Sequence, residues 1–90
     1  MTDDASARDL AARALIFIAQ EPDRIGRFLA QSGAGPSDIR ARAQDPAFQG
    51  GILDHLLSDE ALLTEFAEWA EIEPATVGAH RRFLPGGETT

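Results

Sequence analysis

Asp45-Pro46-Ala47-Phe48-Gln49-Gly50-Gly51-Ile52-Leu53-Asp54-His55-Leu56-Leu57-Ser58-Asp59-Glu60-Ala61-Leu62-Leu63-Thr64-Glu65-Phe66-Ala67-Glu68-Trp69-Ala70 spells two helices and the turn between them. Asp45-Pro46 opens the first, because a side-chain oxygen just before a helical proline caps the free N–H groups of the first turn. Phe48, Ile52, Leu53, Leu56 and Leu57 then recur at helical spacing and form a core face. Ser58 followed by Asp59 and Glu60 restarts the helix with a cap and negative charge where the backbone dipole favours them. In this next helix Leu62, Leu63, Phe66 and Ala70 share one face, Glu60, Glu65, Glu68 and Glu71 lie on the other, and Trp69 stands at the boundary.

The same grammar extends in both directions. Ser6 precedes a first helix, Pro22 opens a second that stops at Gly33, Pro36 opens a short third, and Glu73-Pro74 opens a short sixth. The expected helices span 6–20, 22–32, 36–43, 46–57, 59–71 and 74–82. No stretch alternates at period two, and the 16 alanines and 9 leucines against 6 isoleucines and 1 valine favour helix. The reading is a compact all-α bundle of about six short helices in a single domain, residues 6–84, between a flexible N-terminus, 1–5, and a flexible tail, 85–90.

In the first helix Leu10, Ala14, Leu15, Ile16, Phe17 and Ile18 cover more than half of the circumference, leaving Asp9, Arg13 and Gln20 as a polar stripe. Such a helix is central to the fold or shared with a second copy, with exposed Ile16 or Phe17 at the seam of a homodimer.

Shifting the chain by 38 residues aligns Leu10 with Phe48, Leu15 with Leu53, Ile18 with Leu56, Ile25 with Leu63, Phe28 with Phe66, Pro36 with Pro74 and Ile39 with Val77. Two explanations stand side by side. One is a duplicated three-helix unit. The other is that any two amphipathic helix triplets align this well.

Composition excludes much chemistry. The chain has no cysteine, so it carries neither disulfides nor a thiolate metal site. All eight basic residues are arginine, which removes Schiff-base lysines and the lysine of a phosphate loop. The longest apolar run, Ala14 to Ala19, is six residues, against the roughly 20 that cross a bilayer. The acidic start, Met1-Thr2-Asp3-Asp4, is unlike a secretory signal. The expectation is a cytoplasmic protein without a membrane segment.

His55 and Asp59, four residues apart, are the one pair that invites a metal or proton-transfer reading. With Asp59 accounted for as a helix cap and His55 as a boundary residue beside Phe48 and Gly51, no catalytic, cofactor-binding or metal site is assigned. The chain is read as a non-enzyme without a cofactor.

The net charge of −7 is segregated: residues 54–73 hold seven acids and no arginine, and the remainder is neutral. Trp69 with Glu65 and Glu68 could therefore receive a basic protein partner, against the plainer reading of a solvated face with Trp69 lidding the core.

Phe66 to Val77 resembles the helix-turn-helix of repressors but departs at Glu71, where the turn glycine is expected. The segment 59–82 is acidic. A DNA-binding regulator is thus the second reading, and it would use Arg24, Arg27, Arg40 and Arg42 of the first half.

Three stretches resemble a known family: Gly33-Ala34-Gly35-Pro36 into Ile39-Arg40; Asp45-Pro46-Ala47-Phe48 with Ile52-Leu53-Asp54 and Leu56-Leu57; and Asp59-Glu60 with Leu62-Leu63 and Phe66. It is a bacterial family of helical proteins of about a hundred residues, known only as a domain of unknown function. The match runs over most of residues 10–86 and departs at Gly50-Gly51, where small alanine-like residues are expected. The resemblance implies a cytosolic protein with no catalytic residues to carry over. It also implies a regulatory role with a protein partner in a two-component signalling pathway.

Overall fold

The computed structural model describes residues 3–86. Six helices follow one another: α1 (Asp4–Ala19), α2 (Pro22–Ser32), α3 (Pro36–Arg42), α4 (Pro46–Leu57), α5 (Glu60–Ala70) and α6 (Pro74–Arg81). Proline occupies the first turn of α2, α3, α4 and α6, where its missing N–H costs no helical bond. Carboxylates cap three starts. Asp3 Oδ1 accepts from the Ser6 N–H at 2.8 Å, Asp45 Oδ1 from Ala47 at 3.2 Å and Asp59 Oδ1 from Leu62 at 3.2 Å.

Two of these caps correct the expected boundaries. Asp3, not Ser6, caps α1, so residues 3–5 belong to the domain; Met1 and Thr2 lie outside the described residues. Ser58 ends α4, its hydroxyl donating to the His55 carbonyl at 2.8 Å, and leaves the start of α5 to Asp59.

The core is organised around α1 and α4, which pack on each other and each against α2, α5 and α6. Ala7, Ala11 and Ala14 are fully buried on α1, and their small side chains let the helices approach closely. Leu10, Phe17 and Ile18 of α1 meet Ile52, Leu53 and Leu56 of α4, with Phe28, Phe66 and Val77 closing the sides. Each large side chain buried here contributes roughly 1.5–3 kcal/mol of transfer free energy. Leu57, expected in the core, is exposed, because the apolar face of α4 turns past it.

α2 and α5, and likewise α3 and α6, begin 38 residues apart. The residues that end α2 and α5 are also 38 apart, and both are left-handed: Gly33 at φ 74° and Glu71 at φ 59°. Glu71 thus takes the conformation of a turn glycine without being one. The third helices differ. α3 buries no residue, whereas α6 buries Val77 and packs on both α1 and α4.

The chain beyond α6 folds back rather than fraying. Leu84 is buried, and Arg81 donates to the Leu84 and Pro85 carbonyls at 3.1 and 3.0 Å. Pro85 and Gly86 of the expected tail lie beside Arg81, and residues 87–90 lie outside the described residues. Among the described residues no helix is long and apolar enough to cross a membrane.

Candidate functional site

The 38-residue offset exposes a substitution in the fold. On one side, Phe17 of α1 packs against Phe66 of α5, ring centroids 5.5 Å apart, and against Trp69 at 5.4 Å. The counterparts of these residues 38 positions away are His55, Phe28 and Gln31. His55 of α4 packs edge-on against Phe28 of α2 at 5.3 Å, and its Nδ1–H donates to Gln31 Oε1 at 2.6 Å. One cluster is thus three rings, and the other is a ring, an imidazole and an amide.

His55 is 8% exposed, which corrects its reading as a boundary residue: α2 folds over it. Burial pushes its pKa below the usual histidine value, Arg27 adds to that, and the Asp59 carboxylate partly opposes it. A neutral ring whose Nδ1–H is given to Gln31 keeps Nε2 as an acceptor. Asp59 does not hydrogen-bond to His55; it is occupied as the α5 cap. Among the described residues no three His, Asp or Glu side chains converge as a metal site.

Beside His55 lies a hollow of about 540 Å³, walled by Phe28, Phe48, Gly51, His55, Gln31 and Arg42. Two carboxylates on its margin are committed elsewhere. Asp45 caps α4, and both Asp54 oxygens accept from Arg81 at 2.6 and 2.9 Å. The Arg42 guanidinium makes no hydrogen bond or ion pair among the described residues.

On the opposite side, Trp69 remains 41% exposed over Phe17 and Phe66. Glu65 lies one turn before it on the same α5 face, and Glu68 precedes it on the adjacent polar face. Neither forms an ion pair among the described residues. Ile16 is 56% exposed on α1, next to Phe17, and Arg13 on that same stripe donates to the Ala70 carbonyl at 3.2 Å. Phe17 itself is 2% exposed, so of the two residues expected at a dimer seam only Ile16 is available.

The four arginines of the nucleic-acid reading do not form one surface of free cations. Arg24 lies 3.9 Å over the Phe17 ring and donates to the Phe17 carbonyl at 2.9 Å, closing the end of α1. Arg27 lines a second hollow with Arg24, Asp59 and Glu65, without an ion pair among these side chains. Arg40 is exposed on α3, and Arg42 stands at the His55 hollow.

Residues 4–87 match the family described as Protein of unknown function (DUF3572). The chain belongs to this family. No curated protein and no solved structure matches it. The DUF3572 match spans all six helices, so both the Trp69 face and the His55 hollow lie within the matched residues. Sequence reasoning singled out Trp69, Glu65 and Glu68 but passed over Gln31 and the hollow. The signal was in the 38-residue alignment, which sets His55 opposite Phe17 and Gln31 opposite Trp69.

Proposed function

We propose that this DUF3572 chain is a small protein-interaction module rather than an enzyme, and that its α5 face docks a basic segment of a protein partner. One observation carries the reading: a half-exposed Trp69 seated on the core beside Glu65 and Glu68, whose charges are unpaired among the described residues. Tryptophan offers a large, rigid contact area and is enriched among residues that dominate interface energies. Acidic neighbours steer a cationic partner and fix its register. The same acidity disfavours pairing this face with its own copy, because two chains of net charge −7 would bring like carboxylates together. The family resemblance makes a two-component regulatory protein the first partner to test.

The test is capture from native lysate at low salt by the full chain, with and without nuclease, beside Trp69→Ala and the double variant Glu65→Lys/Glu68→Lys. The expected result is a protein held by the wild-type chain, released at high salt, indifferent to nuclease, and lost with both variants. Undiminished capture by the double variant overturns the proposal. Capture that vanishes with nuclease transfers the function to Arg27, Arg40 and Arg42 as a DNA-binding regulator. A mass in sedimentation that rises with concentration and falls on Ile16→Ser supports the homodimer instead.

A further inference from the structure

We propose that the hollow between α2 and α4 binds a small aromatic carboxylate, independently of the Trp69 face. Three features of the hollow converge on that ligand. Its apolar floor includes the edges of the Phe28 and Phe48 rings, largely buried and packed edge-on at 5.6 Å. Its one cation is the Arg42 guanidinium, whose side chain has no partner among the described residues, while Asp54 is paired with Arg81 and Asp45 accepts the Ala47 N–H. Arginine presents a planar fork that matches a carboxylate. At the inner end stands His55, held in one tautomer by Gln31.

Gly51 lines the hollow from an exposed position on α4, and a Cβ there would meet no atom within 4 Å, as is also true of the helical glycines Gly26 and Gly78. The space it leaves empty is the hollow that it lines. Its neighbour Gly50 has a packing reason, because a Cβ there would strike Arg81. The volume of about 540 Å³ is within the range of small-molecule sites. His55 and Gln31 place polar atoms at the hollow, whereas the residues 38 positions away, Phe17 and Trp69, pack ring against ring.

The test uses the full chain labelled with ¹⁵N and titrated with naphthalene-2-carboxylate, with naphthalene-2-carboxamide as the uncharged comparison. The expected result is saturable shifts centred on Phe48, Gly51 and His55, with the carboxamide binding roughly tenfold more weakly. Gly51→Leu fills the hollow while favouring the helix, so it is expected to fold and to abolish the shifts. Arg42→Gln, on an exposed position, is expected to weaken the carboxylate roughly tenfold and leave the carboxamide unchanged. Absence of saturable shifts at Gly51 and His55, or titrations unchanged by Gly51→Leu, overturns the site. Equal binding of acid and amide overturns the assignment of its ligand class.

Discussion

Arg81 lies so close over Gly50 that a Cβ at residue 50 would stand 2.9 Å from a guanidinium nitrogen and 3.1 Å from the Pro85 carbonyl oxygen. The same guanidinium holds both oxygens of Asp54 and the carbonyls of Leu84 and Pro85. The absence of a side chain on α4 thus lets the end of the chain close over it and seal Leu84 into the core.

Adjacent glycines are therefore expected to respond with opposite signs. Alanine is favoured over glycine in a helix by about 1 kcal/mol, and Gly51→Ala should realise about 0.5–1 kcal/mol of that, since its methyl enters open space. Gly50→Ala displaces Arg81 from a charge-assisted network and should be destabilising on the order of 1 kcal/mol despite the propensity gain. Urea titrations followed by far-UV circular dichroism decide it. Two shifts of the same sign would refute the packing argument.

Glu71 and Gly33 make a second pair. Both end a helix in the left-handed region, which costs an ordinary residue about 1 kcal/mol and glycine almost nothing. Glu71→Gly is expected to stabilise the fold by about 0.5–1 kcal/mol, and Gly33→Ala to destabilise it by about 1 kcal/mol. Thermal unfolding midpoints of the two variants on opposite sides of the wild type are the required observation.

The helix starts were legible because proline and carboxylate caps act locally. Pro22, Pro36, Pro46 and Pro74 each begin a helix where the chain places them. The core was legible wherever helical periodicity met burial, as at Ile52, Leu53 and Leu56. It misled at Leu57 and Phe17, because how far an apolar stripe is covered depends on which neighbour packs there. Among the candidate site residues, the placement of Trp69 at the boundary of α5 followed from the wheel alone. The role of Arg24 was hidden, since its contacts with Phe17 lie on another helix. The His55 hollow was hidden for the same reason, because Gln31 and Phe28 reach it from α2.

Arg24 supplies a stability control for any arginine scan. Removing it breaks a cation–π contact with Phe17 and a bond to a terminal carbonyl of α1, together worth about 1–2 kcal/mol. Arg40 is exposed and makes no such contact among the described residues, so Arg40→Ala should change stability by less than about 0.5 kcal/mol. Denaturant midpoints that fall equally in both variants would contradict the assignment of Arg24 to the fold.

The pH dependence of stability should carry the signature of His55. Its folded-state pKa lies below the unfolded value because burial penalises the imidazolium, with Arg27 adding to this and Asp59 opposing it. The unfolded chain therefore binds the proton more readily. The sign follows: the His55 contribution is fully present above the unfolded histidine value of about 6.5 and is lost as pH falls through the lower folded value. His55→Phe keeps a ring against Phe28 and removes the titration, leaving only the exposed Gln31 without its partner. Every other ionisable group is common to the two proteins, so the difference isolates His55. The stability of the wild type relative to His55→Phe should thus decline as pH is lowered from about 7.5 to about 5. Parallel stability profiles across that interval would show that His55 is not held neutral by its burial under α2.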